Sequence, residues 1–179
     1  MSTKKLVYVS LFASLTAIGS FISIPLGPVP ITLQTLFVLL SGFVLGPKLA
    51  FISQGVYILL GLIGLPIFAG MTGGPQSILK PSFGFVLSFL LASFLVGYLT
   101  KDKKNFKNYL IAGTIGTIIM YIIGIPYMAF ILNNVLNSNL SFDRILQIGL
   151  IMFIPGDILK LLVASSLGYK LIKLKIIKI

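Results

Sequence analysis

The chain has 179 residues, a formal net charge of +11, 57% hydrophobic residues and only 9% charged ones. A soluble domain carries roughly 25% charged residues, so this composition excludes an ordinary water-soluble fold and fits a bilayer, where an apolar exterior is what the solvent demands. Cys, His and Trp are absent, which excludes disulfides, thiol nucleophiles, Cys or His metal sites and the commonest general base.

A span needs about 20 mostly apolar residues. The first is predicted over Leu6–Ile24, behind Lys4 and Lys5; it is too long for a signal peptide, and no small-residue cleavage site follows. Pro25, Pro28 and Pro30 break the helix because each lacks an N–H donor and fixes φ. Further spans are predicted over Thr32–Leu45 and Leu49–Leu65, separated by Gly46-Pro47-Lys48. Residues 66–80 (PIFAGMTGGPQSILK) are too hydrophobic for a solvated loop and are expected to fold back onto the protein. The remaining spans are Pro81–Leu99, Tyr109–Leu132 and Ile145–Tyr169, with Asn133–Arg144 as a polar connection.

Short cytoplasmic loops carry the excess of Lys and Arg. A cytoplasmic N-terminus puts Lys4, Lys5, Lys48, Lys101, Lys103, Lys104, Lys107, Lys170, Lys173, Lys175 and Lys178 inside, leaving only Lys80 and Arg144 outside. This clustering at the ends of apolar runs also argues against nucleic acid as the partner of the positive charge. The expected fold is an all-α membrane protein of about six helices, one transmembrane substrate-binding domain over residues 1–179. Both termini are cytoplasmic, and a Gly-rich, partly re-entrant outer loop joins helices 3 and 4. One internal echo, IGLPIFA at 63–69 and IGIPYMA at 123–129, hints at a duplicated helix pair.

Charges inside a span cost at least ~2.5 kcal/mol each, so their survival suggests a use. Asp157 and Lys160, in IMFIPGDILKLLVA, are i, i+3 neighbours on one helical face. They are read either as part of a ligand site or as a self-neutralising structural pair. Lys80 is a candidate attractor of an anionic solute or a snorkelling anchor. Gln34 offers an amide to a polar ligand or glues two helices together. Ser10, Ala13, Ser14, Ala17 and Ser20 form a small-residue stripe, and Gly42-x-x-x-Gly46 offers a second close-approach face. No G-x-x-x-x-G-K-[ST] motif occurs, so the chain carries no P-loop of its own.

Three stretches resemble the BioY family, the biotin-specific substrate-binding (S) components of energy-coupling-factor (ECF) vitamin transporters. They are GPVPITLQTLFVLLSG (27–42), GLIGLPIFAG (61–70) with the Gly-rich run after it, and PGDILKLLVA (155–164). The resemblance implies a six-helix protein of the bacterial plasma membrane that captures biotin from outside. It also implies association with a transmembrane coupling subunit and two ABC-type ATPases, and Ala13 and Ala17 would form the docking face for the coupling subunit. No cofactor is implied. One departure is Pro81-Ser82-Phe83-Gly84-Phe85, where family members commonly carry a Pro-Thr-Gly-Gly-Tyr-like run.

For biotin, Asp157 would accept from the ureido N–H groups, Lys160 would meet the ureido carbonyl or compensate Asp157, and Lys80 would meet the carboxylate. Phe68, Phe83 or Tyr127 would wall the ring system. The alternatives are a binding component for another small vitamin, or a stand-alone secondary carrier with Asp157 as its proton site. An enzyme is disfavoured because Asp102, Asp143 and Asp157 are the only carboxylates.

Overall fold

The computed structural model describes residues 2–103 and 105–174; Lys104, Lys175 and Lys178 lie outside the described residues. The chain runs α1 (Thr3–Phe21), β1 (Ser23–Ile24), β2 (Ile31–Thr32), α2 (Gln34–Leu62), a 3-10 turn (Pro75–Leu79), α3 (Phe83–Thr100) and α4 (Phe106–Phe130). A π-helical turn (Ile131–Val135) extends α4; α5 (Phe142–Leu146), a second π-helical turn (Gln147–Ile151) and α6 (Ile154–Lys173) follow. The three prolines end α1 as expected, but the connection is ordered: β1 and β2 pair antiparallel, Ser23 opposite Thr32 and Ile24 opposite Ile31.

Between its ends α2 turns back on itself. Gly46 has φ 73° and ψ 178°, and Pro47 follows, so an extended, left-handed residue replaces one helical step. Twenty-three residues of straight helix would separate Gln34 and Tyr57 by about 34 Å. Instead Gln34 Nε2 donates to the Tyr57 hydroxyl at 2.6 Å, so the segments before and after Gly46 lie side by side. Gly97 makes room for this turn: a Cβ there would come within 2.6 Å of the Gly46 carbonyl carbon and the Pro47 nitrogen. Gly42 does the same one turn earlier, against the Ser93 carbonyl at 2.7 Å. The Gly42-x-x-x-Gly46 face is thus the seam between α2 and α3.

Polarity is distributed as a bilayer requires. Large apolar side chains such as Leu59, Ile63, Ile122 and Leu159 point outward, whereas Thr16, Ser41, Ser53 and Gln54 are fully buried. Without water, such groups need internal partners, and they have them. Ser53 Oγ donates to the Val9 carbonyl at 2.9 Å, Thr16 donates to Gln54 Oε1 at 3.3 Å, and Gln54 Nε2 donates to Ser41 Oγ at 3.2 Å. The first two bonds hold α1 against α2, and the third ties the two halves of α2 together.

Ala13 and Ala17 lie on this inner side of α1. With exposures of 4% and 9%, both belong to the central core, and the close approach they allow is to helices of the same chain. Ser10 and Ser14 hold the outward side of α1. The sequence echo is not a structural repeat: 63–69 leaves the helix after Leu62, while 123–129 runs on through Pro126 as α4.

Four segments, Gln34–Leu62, Phe83–Thr100, Phe106–Val135 and Phe142–Lys173, are long and apolar enough to cross a membrane. Lys5, Lys101 and Lys103 border one groove with Gly46. The start of α1, the turn of α2 and the α3–α4 connection therefore share one end of the bundle.

Candidate functional site

Residues 63–80 cap the opposite end. Phe68 and Thr72 exchange backbone bonds in both directions at 2.9 and 3.2 Å, and the Gly74 N–H donates to the Gly61 carbonyl at 2.7 Å. Gly61 and Gly73 are required by proximity, since a Cβ on either would collide with the Phe68 ring or the Leu65 carbonyl. The segment is thereby folded inward, with Phe68 buried.

Beneath it lies a partly open cavity. Its walls come from the β-hairpin (Pro30, Thr32), the start of α2 (Gln34, Thr35), the capping segment (Phe68, Ser77, Lys80), α3 (Phe83, Phe85), α4 (Tyr121) and α6 (Phe153, Asp157, Lys160). The aromatic rings brace one another. Phe68 meets Phe83 edge-on at 6.0 Å, Phe85 stacks on Phe153 at 6.3 Å, and Phe85 meets Tyr121 edge-on at 6.4 Å.

Lys160 follows Asp157, which sits in the first turn of α6, opened by Pro155. There the unpaired N–H groups and the positive end of the helix dipole favour a carboxylate. Asp157 and Lys160 are 9% and 6% exposed, and Lys160 Nζ lies 2.5 Å from Asp157 Oδ1. Lys160 also donates to the Thr32 carbonyl at 3.0 Å, and the Tyr121 hydroxyl donates to Asp157 Oδ2.

The ion-pair contact at Oδ1 lacks hydrogen-bond geometry. Asp157 Oδ1, Thr35 Oγ1 and Ser77 Oγ are buried without a hydrogen-bond partner among the described residues. All three residues line the cavity. Buried hydroxyls left unmatched cost about 1–3 kcal/mol each, so Thr35 Oγ1 and Ser77 Oγ, on the same wall as an Asp157 Oδ1 answered only by the Lys160 charge, mark a place where a polar ligand would bond.

Of the residues singled out in sequence, Asp157, Lys160, Lys80, Gln34 and Phe68 line this cavity and Tyr127 does not. Tyr127 stands behind Phe83, ring centroids 6.3 Å apart, and its hydroxyl donates to the Ile78 carbonyl at 2.5 Å. Gln34 is committed at both ends of its amide: Oε1 accepts from Thr32 at 3.0 Å and Nε2 donates to Tyr57. No described carboxylate pairs with Lys80. Sequence reasoning missed Tyr121, Thr35, Ser77, Phe85 and Phe153. A neutral hydroxyl or ring in an apolar run carries no warning of its own, and only the fold brings α4 against α6.

A sequence model of the BioY family matches residues 1–175. The "Biotin transporter BioY" of Thermotoga maritima is 36% identical over 97% of this chain and 98% of its own length. The "Probable biotin transporter BioY" of Lysinibacillus sphaericus is 40% identical over 96% of this chain and 88% of its own. A crystal structure described as the S-component for biotin from an ECF-type ABC transporter superposes with a TM-score of 0.85. It is 33% identical and covers 97% of this chain and 95% of that one. Both levels of likeness extend from α1 to the end of α6, across the whole cavity and its charged pair, and the chain belongs to the BioY family.

Proposed function

We propose that the chain is a membrane-embedded S component that takes up biotin from outside the cell and delivers it through an ATP-driven ECF importer. Its relatives are transporters rather than enzymes, and the superposed structure is a biotin S-component. The observation that carries the ligand assignment is the cavity itself: an aromatic slot with a buried carboxylate, a buried ammonium and unmatched hydroxyls on its wall. Biotin offers ureido N–H donors, a ureido carbonyl, an apolar sulfur ring and a carboxylate tail. Asp157 Oδ1 accepts from the ureido N–H groups, a charge-assisted bond stronger than a neutral one. Lys160 has three N–H donors; the Thr32 carbonyl takes one, Asp157 holds the ammonium as an ion pair, and a remaining donor is for the ureido carbonyl. Lys80 meets the carboxylate at the mouth. Phe68, Phe83, Phe85 and Phe153 enclose the rings, as small-ligand sites are mostly apolar with few placed polar groups.

The chain acts as one substrate-binding domain with about six crossings. Four apolar segments supply the frame, α2 counts twice because it reverses at Gly46, and α1 adds the last. The Lys-rich end, holding Lys5, Lys101 and Lys103, is cytoplasmic by the positive-inside rule, which leaves the cavity facing out. A transmembrane coupling subunit and two ABC-type ATPases act in trans. A stand-alone carrier with Asp157 as proton site is less well supported, because Asp157 is already engaged by Lys160 and Tyr121. Equilibrium binding of labelled biotin to the purified protein, with thiamine and riboflavin as competitors, tests the reading. Displacement by unlabelled biotin alone is expected; absence of binding in folded protein removes the ligand assignment.

A further inference from the structure

A series of hydrogen bonds, passing through the backbone and side chain of Thr32, joins the charged pair to the segment that caps the cavity. Lys160 Nζ donates to the Thr32 carbonyl (3.0 Å), and the Thr32 hydroxyl donates to Gln34 Oε1 (3.0 Å). Gln34 Nε2 then donates to the Tyr57 oxygen (2.6 Å), and the Tyr57 hydroxyl donates to the Ile67 carbonyl (3.1 Å). Ile67 immediately precedes Phe68, which lines the cavity. Tyr57 itself is fully buried and is not on the cavity wall.

The direction of the relay is set by chemistry. A phenol has one proton; with the Gln34 amide donating to its oxygen, that proton is available for Ile67. Gln34 presents its NH2 to Tyr57 because its carbonyl end is taken by Thr32. The Tyr57 ring also meets Phe68 edge-on, centroids 5.5 Å apart. A single side chain therefore fixes both the backbone and the aromatic face of the cap. Ser20 Oγ divides its single proton between the Ile67 and Ala17 carbonyls, each at 2.7 Å, so the cap keeps only a shared tether to α1 when Tyr57 lets go.

We propose that Tyr57 is a positioning residue that holds residues 66–74 over the ligand and makes their placement depend on the Lys160 ammonium. A ligand engaging Asp157 and Lys160 then loads the same relay that fastens the cap. Release is slowed by a group that never touches the ligand. The inference rests on the biotin reading for the ligand's identity alone.

Tyr57→Phe is the variant of choice, since it keeps the ring and the Phe68 contact and deletes only the hydroxyl. Hydrogen exchange on the ligand-free protein is the first readout. Backbone amides of Phe68, Thr72 and Gly74 should exchange faster in Tyr57→Phe, and also in Lys160→Met, while amides in the middle of α3 and α4 stay protected. Biotin dissociation from Tyr57→Phe should be about 3- to 10-fold faster, the worth of one buried hydrogen bond, with association changed less than about two-fold. Unchanged exchange in the capping segment, acceleration spread evenly over all helices, or no response to Lys160→Met would each overturn the proposal. If the wild-type protein binds no biotin, the ligand assignment fails, and the exchange measurement still decides the relay.

Discussion

A carboxylate as enclosed as Asp157 needs its charge answered within a few ångströms, since burying an uncompensated ion costs several kcal/mol. Lys160, the Tyr121 hydroxyl and the first turn of α6 give that answer, leaving Oδ1 without a hydrogen-bond donor. Lys80 is different, half-exposed at the mouth and free of carboxylate partners among the described residues. In the proposed binding mode the two charged ends of the cavity meet different parts of the ligand. Lys80→Gln should weaken biotin binding about 10- to 150-fold, the range of a hydrogen bond to a charged group, yet barely alter binding of biotinol, which lacks the carboxylate. Equal losses for both ligands, measured by competition, would take Lys80 off the carboxylate. Asp157, Lys160 and Lys80 were legible in sequence because charge in an apolar run is conspicuous. Ser77 and Thr35 were not, because their only distinction is a missing partner, a property of packing.

The helices were legible by length and hydropathy, with ends shifted by a few residues: α1 starts at Thr3 and α4 persists as a π-helical turn to Val135. The reversal at Gly46-Pro47 was also legible, because Gly supplies the positive φ and Pro cannot continue the donor ladder. The direction of the small-residue stripe was not. A spacing of four places Ala13 and Ala17 on one face without saying what the face meets, and it is the buried bonds of Ser53 and Gln54 that turn it inward. Ala13→Leu should therefore destabilise the isolated protein by about 1–3 kcal/mol through overpacking, seen as a lower Tm in detergent. An unchanged Tm would contradict the close packing of Ala13 in the core.

Across the whole molecule, function divides between two ends. The cavity, its aromatic slot and its capping segment occupy one; Lys5, Lys101 and Lys103 gather at the other. The absence of native Cys makes this arrangement easy to test. A single Cys at Asn137 should react with an impermeant maleimide on intact cells, and one at Lys48 or Lys101 only after permeabilisation. The reverse pattern would invert the topology and close the outward route to the cavity. The central claim is that the aromatic slot binds biotin through Asp157, and calorimetric titration of wild type and Asp157→Asn with biotin tests it most directly. We expect tight one-to-one binding to the wild type and a loss of at least about ten-fold in the variant, roughly 1.4 kcal/mol or more, with the variant still folded. Equal affinity for the two proteins would contradict the account and leave Asp157 and Lys160 as a structural pair.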